Sequence, residues 1–250
     1  MKQAKVYIYG KHAVSEALMH ARSAVLKVFA DTRALDPGLR AIVGSSGVVV
    51  EPLSSGMARA DLKAGSAHQN VIAQISVFNL SRRYEDFMRE LAVTPATCLV
   101  VLAGVQDPHN TGAIIRSAAG FGASGVLMPQ KAQSPITSAV IKVSAGMAFR
   151  VPLVSIEDSE KAVYDLKKRG FKIYALAGEG KKSIVDEPFD GPTALVMGNE
   201  GEGIPRSLRV LCDAVLKVPI SPRAESLNVA AAAAVSLFQW SVRHPEALLA

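Results

Sequence analysis

The apolar positions of this chain follow two rhythms, and the change falls at residues 79–96. Before it, short β-branched runs at Val25–Ala30, Gly47–Glu51 and Val71–Val77 predict strands. The opening residues lead into another strand-like run through Val6 and Tyr7. Helical spacing over His12–Ala21 and Ser55–Lys63 predicts helices between the strands. The polar stretch Asn79–Leu91, closed by Thr94-Pro95, carries Tyr84, Phe87, Met88 and Leu91 at helical intervals and predicts a helical linker. Beyond Pro95, strands are expected at Cys98–Ala103, Gly125–Met128, Phe171–Ala175, Thr193–Met197 and Ala214–Val218. Helices are expected at Asn110–Ala119, Pro135–Ala145, Ser159–Arg169, Pro205–Leu211 and Ser226–Val242. Alternation of this kind builds an α/β fold, a parallel sheet covered by helices, whose ligand site lies beyond the carboxyl ends of the strands.

Composition narrows the class. With 250 residues, 49% apolar and 20% charged, the chain can bury a core and has room for one large domain or two small ones. Two distant cysteines, Cys98 and Cys212, form neither a disulfide framework nor a metal cluster, and a reducing cytosol is the default. No stretch reaches the ~18 uncharged apolar residues of a membrane span, and the start lacks a signal peptide's apolar run. No metal and no membrane partner are expected. The 28 Lys and Arg against 22 Asp and Glu give +6, divided as 12 against 8 up to residue 94 and 16 against 14 after it. Arg22, Arg33, Arg40, Arg59, Lys63, Arg82 and Arg83 contribute to the first part. On charge alone, a solvated surface and a nucleic-acid docking module stand level.

Gly120-Phe-Gly-Ala-Ser-Gly125 matches a dinucleotide-binding signature letter for letter. That signature must leave a strand and open a helix. Here it follows a helix and leads into a strand, so a helix cap is the better reading and a dehydrogenase is set aside.

Three other segments carry chemistry. In Asp107-Pro-His-Asn-Thr-Gly-Ala-Ile-Ile-Arg116, Asn110 is placed to cap a helix, and Arg116 interrupts an apolar run where a cation could hold a phosphate or carboxylate. In Met197-Gly-Asn-Glu-Gly-Glu-Gly-Ile-Pro205, glycines allow close backbone approach, while Glu200 and Glu202 suit a cationic ligand or bound hydroxyls rather than phosphate. In Val218–Ala230, two prolines stiffen a loop reaching Ser226, a candidate cap of the final helix; capping leaves Asn228 unexplained.

In order and spacing, these segments resemble the three motifs of the SpoU/TrmH branch of the SPOUT methyltransferases. The opening Tyr9-Gly-Lys-His-Ala-Val and His68-Gln-Asn-Val-Ile-Ala resemble the small L30e-like domain that precedes the catalytic domain in the ribosomal RNA guanosine-2′-O-methyltransferases. The resemblance covers the whole chain. It implies an L30e-like RNA-binding domain at 1–78, a linker at 79–96 and a knotted α/β trefoil methyltransferase domain at 97–250. It implies methyl transfer from S-adenosylmethionine to a ribose 2′-hydroxyl, foremost of a guanosine in large-subunit (23S) ribosomal RNA, by a cytoplasmic homodimer without metal. Carried over by position, Asn110, Arg116, Glu200, Ser226 and Asn228 match catalytic and substrate-positioning residues. Leu176, Ala177, Gly178, Gly198, Gly201, Val218, Ile220 and Leu227 match the cofactor pocket. Asn70, Asn199 and Glu225 depart from the residues expected at their positions. A transfer RNA methyltransferase, a resistance methyltransferase acting on an adenosine, and a non-catalytic RNA-binding or ribosome-assembly protein are the alternatives.

Overall fold

The computed structural model describes residues 4–55, 68–131 and 133–249. Most of the helix expected at Ser55–Lys63, with Arg59 and Lys63, lies outside the described residues. The chain forms two compact units. The first is Met1–Ser81 with Ile136–Arg150; the second is Arg82–Pro135 with Val151–Ala250.

The first unit is built on a four-stranded sheet. β1 (Lys5–Tyr9), β2 (Val25–Ala30), β3 (Val49–Glu51) and β4 (Val71–Ser76) lie in the order β1-β4-β2-β3. β4 runs antiparallel to both β1 and β2, while β3 joins β2 in parallel. All six residues of β4 are buried, as expected of an apolar strand between two neighbours. α1 (Lys11–His20) buries Val14, Glu16, Ala17 and Leu18. α2 (Pro37–Ser45) is capped by Asp36, which accepts from Leu39 N, with Pro37 at its first position. Gln69 and Asn70, before β4, both adopt positive φ (49° and 62°), and Asn70 N donates to His68 Nδ1. Asparagine tolerates the left-handed region, so this turn forms with Asn70 where the resemblance expects a glycine.

The segment 136–150, which the sequence reading assigns to the later domain, groups with the first unit. The end of this segment is tied to α1 by Arg150, whose Nε and Nη2 donate to the buried Glu16 carboxylate at 2.6 and 2.9 Å. The Arg150 guanidinium holds Glu16 below the ordinary carboxylate range, against the opposing effect of burial.

In place of one helical linker, residues 77–90 form α3 (Val77–Leu80), β5 (Ser81–Arg83) and α4 (Tyr84–Glu90). Phe87 and Met88 of α4 are buried in the core of the second unit, and Tyr84 Oη donates to Asp165. The second unit's sheet consists of β6 (Cys98–Ala103), β7 (Gly125–Pro129), β8 (Leu153–Ile156), β9 (Lys172–Leu176), β10 (Lys182–Ser183), β11 (Thr193–Gly198) and β12 (Ala214–Lys217), with β5 at one edge. The order is β10-β12-β9-β11-β6-β7-β8-β5. The pairs from β10 to β8 are parallel. β6 and β11 are buried at every residue. β8 follows Pro152 and was not expected from the sequence; its four residues are too few to show a period.

The helices of this unit include α5 (Pro108–Gly120), α7 (Ser159–Lys168) and α9 (Val229–Arg243). Between them in chain order stand α6 (Ser138–Val143), which belongs to the first unit, and α8 (Arg206–Arg209). The glycines after α5 close it. Gly122, at φ 73°, donates to Ala119 O, and Ala123 N donates to Ala118 O, the paired bonds of a left-handed helix stop. The dinucleotide pattern is therefore a cap. From β6 the chain builds outward through β7 to β8, then returns to the other side of β6 with β9, β11 and β12. That reversal leaves a crevice at the carboxyl ends of β6 and β11.

Candidate active site

The site lies in that crevice. After β6, Asp107 caps α5 by accepting from His109 N, and Pro108 occupies the first helical position. Asn110 is thereby left inside the first turn rather than capping it, which corrects the sequence expectation. It is buried, 8% exposed, and its amide is committed elsewhere. Asn110 Nδ2 donates to Glu200 Oε1 at 3.0 Å, and its Oδ1 accepts from Asn228 Nδ2 at 2.8 Å. Asn228, not Ser226, caps the final helix: its Oδ1 accepts from Ala230 N at 2.9 Å and Ala231 N at 3.2 Å. The expectation for Ser226 is overturned because the helix begins at Val229, putting Ser226 too far ahead of it. A continuous run of hydrogen bonds thus leads from the α9 N-terminus through two amides to Glu200. Each bond fixes the orientation of the next group.

The loop after β11 brings Glu200 into place. A methyl group at Gly198 would stand 2.6 Å from Ile204 N, so only glycine lets Asn199 and Gly203 pair across the loop. Asn199 then pins the loop, its Nδ2 donating to Gly104 O at 2.8 Å. Its Oδ1 accepts from Gly201 N at 2.8 Å and Glu202 N at 3.0 Å. Besides Asn110, the Glu200 carboxylate accepts from Gln106 N at 3.3 Å and Asp107 N at 3.2 Å. Burial pushes this carboxyl up, but the Asn110 amide and the backbone N–H groups outweigh it and hold it below the usual range. It is ionised at neutral pH and a poor proton acceptor. Three of its roughly four lone-pair sites are taken, leaving room for one further donor.

Beside this network is a cavity of about 610 Å³, within the usual range for small-molecule sites. Leu176, Ala177, Gly178, Gly198, Gly201, Val218, Ile220 and Leu227 all line it, as do Glu200, Ser226 and Asn228. Its walls are the loops after β9, β11 and β12. Arg116 is not among the lining residues; it is exposed on α5 with no hydrogen-bond or ion-pair partner among the described residues. Glu202 also lines the cavity, as does the ion pair of Arg209 with Glu179 at 2.5 Å.

A family model described as the SpoU rRNA Methylase family matches residues 97–238, more than half the chain. The chain belongs to the SpoU methylase family. Among its relatives, the 23S rRNA (guanosine-2′-O-)-methyltransferase RlmB of Haemophilus influenzae is 35% identical, with 93% of this chain and 95% of that protein covered. The enzyme of the same name from Pseudomonas putida is 32% identical, covering 93% of this chain and 94% of that protein. The solved structure of the SpoU methyltransferase AviRb from Streptomyces viridochromogenes, in complex with AdoMet, superposes with a TM-score of 0.83 at 22% identity, over 96% of this chain and 91% of that one. An rRNA methyltransferase from Sinorhizobium meliloti gives 0.78 at 21%, over 97% and 88%. At those identities the structures establish the shared fold.

Sequence reasoning on this SpoU-family chain missed the donors of Gln106 and Asp107 and the pinning role of Asn199. Asp107 was findable, because Asp followed by Pro at a helix start is a capping signal. The backbone donors were not, since any residue type supplies an N–H. Neither cysteine offers a thiolate at neutral pH: burial pushes the Cys98 thiol up strongly and Cys212 up to about 11. Among the described residues, no cluster of His, Cys, Asp and Glu is arranged to hold a metal ion, and no helix is long and apolar enough to cross a membrane.

Proposed function

We propose that this chain transfers a methyl group from S-adenosylmethionine to the ribose 2′-hydroxyl of a guanosine in 23S ribosomal RNA, in the cytoplasm. The observation that carries the reading is the Asn228–Asn110–Glu200 network opening onto the 610 Å³ cavity. The cavity fits the cofactor in kind. Leu176, Val218, Ile220 and Leu227 offer apolar walls to an adenine, and open space at Gly178 leaves backbone groups accessible. The ionised Glu200 favours a sulfonium cation nearby.

S-adenosylmethionine would supply a methyl group already carried on a good leaving group. What remains for the protein is alignment and exclusion of water, and alignment accounts for ~7–11 kcal/mol in well-oriented reactions. Glu200 has one acceptor site left to receive the ribose hydroxyl and turn its oxygen toward the cavity, with Ser226 a second contact. Being held ionised below the usual range, it orients rather than deprotonates: as the ribose oxygen takes the methyl group and the thioether departs, the hydroxyl proton is released to bulk solvent. Arg116 has no lone pair to take a proton, and it lies outside its own chain's cavity, so its charge reaches the developing alkoxide and the adjacent phosphate only at the cavity of a second chain.

Arg116 bears on the assembly. It is exposed on α5, the helix against which α9 packs, and α9 carries an outward apolar stripe of Val235, Phe238 and Val242, 41–54% exposed. A homodimer seated on that stripe would cover the apolar face. The trefoil knot is supported by the path of the chain after β12. It runs back past the cavity at Val218, Ile220 and Leu227 before α9 packs on α5. The L30e-like reading of the first domain rests on its small mixed sheet with α1 and α2.

The test is incubation of the protein with methyl-labelled S-adenosylmethionine and, in parallel, 23S rRNA or transfer RNA, followed by nucleoside analysis. 2′-O-methylguanosine carrying the label is expected. Label only in transfer RNA, or none at all, would overturn the substrate or the activity respectively.

A further inference from the structure

A second cavity, of about 400 Å³, lies wholly within the first unit, between the start of α1, the turn at Gln69 and the segment around α6. Its floor is apolar, with Ile8 and Ile141 both buried. The Tyr9 ring forms a wall, and Lys142 Nζ stands 5.9 Å from its centroid. No acidic side chain lines this cavity, whereas three line the one in the second unit. Lys142 is exposed and has no carboxylate partner among the described residues.

Hydrogen-bonding capacity is left over on two sides. Gln69 Oε1 accepts from Lys11 N at 2.9 Å, which leaves its amide N–H groups unspent. His12 Nε2 lies 3.2 Å from Ala145 O and donates there, leaving Nδ1 as an acceptor. The backbone is also unusual. Gln69 (φ 49°) and Ala145 (φ 51°), two of the four described non-glycine residues with positive φ, both line this one cavity. Left-handed backbone at such residues is costly and persists where the surroundings enforce it. The Glu16–Arg150 pair supplies part of that enforcement by fastening the segment bearing Ala145 and Lys142 to α1.

The charge of the molecule points the same way. The first unit holds 11 Lys and Arg against 5 Asp and Glu, the second 17 against 17, so the whole excess of +6 belongs to the unit with this cavity.

We propose that this cavity binds one unstacked nucleotide of the substrate RNA. The base stacks on Tyr9 over the Ile8–Ile141 floor, Gln69 and His12 meet its edge, and Lys142 holds the phosphate. Splayed bases stacked on aromatic rings are the usual means of reading single-stranded RNA. The assignment rests on the RNA reading above and adds a capture point away from the methylated residue.

The test uses the full chain, 23S rRNA transcript and the variants Tyr9→Leu, Tyr9→Phe and Lys142→Gln, with melting temperature and S-adenosylmethionine affinity measured alongside. Tyr9→Leu is expected to weaken RNA binding about tenfold and raise KM for RNA, with kcat at saturating RNA unchanged. Tyr9→Phe restores binding, and Lys142→Gln lowers the slope of log affinity against log salt by about 0.7. Should Tyr9→Leu fail to fold, the exposed Lys142→Gln and His12→Ala carry the test. Unaltered RNA binding by these variants of an active enzyme would overturn the cavity assignment and leave the activity standing. A chain that binds RNA through Tyr9 yet transfers no methyl group would overturn the activity instead.

Discussion

The two cavities are built on opposite electrostatic plans. The one at the carboxyl ends of β9, β11 and β12 is lined by Glu179, Glu200 and Glu202, in a unit whose charges cancel. The one beside Tyr9 has no carboxylate and sits in the unit that carries the entire net charge. A polyanion is drawn by the summed field of the unit it approaches, so affinity for RNA is expected to come from the first unit. The second can then keep an ionised carboxylate on its cavity wall, where that group orients a hydroxyl. Putting both jobs in one place would set Glu200 against the phosphates it must work beside.

The largest break in this contrast comes from Glu200→Ala. It removes the acceptor of three donors and the group facing the cavity, and methyl transfer is expected to fall about 10²-fold or more. RNA affinity should stay at the wild-type value, because the first unit is untouched. A parallel loss of both, measured by initial rates and by RNA binding, would show that capture and chemistry share one surface.

Asn228 allows a finer cut, because its two ends do different work. Asn228→Ala loses the cap of α9, at about 1 kcal/mol of stability, and also frees Asn110. Asn228→Asp keeps an oxygen for Ala230 N and Ala231 N but cannot donate to Asn110. Urea unfolding should therefore rank Asn228→Asp near wild type and well above Asn228→Ala. Initial rates should place both about tenfold below wild type. Equal rates in Asn228→Asp and wild type would remove the amide relay from the mechanism.

How much of this was legible in the sequence differs between the two units for physical reasons. In the second, β6 and β11 are apolar runs each followed directly by a glycine or ending on one, and their ends could be read closely. The eight residues expected around the cofactor surround one cavity because the motifs are the loops after those strands. Short elements escaped: β8, β10 and β5 have two to four residues each, below the length at which a period shows. Capping assignments failed at Asn110 and Ser226, since residue type marks candidates and only the helix start decides which one caps. In the first unit, nothing in the sequence placed Lys142 and Ala145 beside Tyr9, because a cavity assembled from distant segments leaves no local pattern. The cations counted there also divide in a way that composition hides. Arg22 donates to Ser46 O and Val25 O, and Arg40 to Arg33 O and Leu35 O, whereas the Arg33 side chain makes no hydrogen bond or ion pair among the described residues.

Acid separates the units more gently. The Arg150 guanidinium holds Glu16 below the ordinary value of 4.5, and Glu200 is likewise depressed, by donors that outweigh its burial. A carboxyl whose pKa is lower folded than unfolded stabilises fully above about pH 4.5, and the contribution drains away as pH falls through the depressed value. Arg150→Ala should therefore cost stability at pH 7, and the gap to wild type should close on acidification toward pH 3. Denaturant unfolding across that range is the measurement. A gap that stays constant would mean that Arg150 acts through packing rather than through the Glu16 charge.

The smallest effect concerns single exposed cations. If the first unit supplies the attraction, neutralising a free cation there should remove about one phosphate contact, and the slope of log affinity against log salt should lose about 0.7 for single-stranded RNA. Arg33→Gln is suited to this, because Arg33 is exposed and its side chain makes no hydrogen bond or ion pair among the described residues. Arg40→Gln would confuse the answer, since that side chain ties two backbone carbonyls together. The matched change in the second unit is Arg223→Gln, exposed on the loop before α9. A smaller slope change at Arg223 than at Arg33 is the expected order. The reverse order would put the phosphate contacts around the methyl-transfer cavity, and the neutrality of the second unit would then hide a local cationic track rather than mark a division of labour.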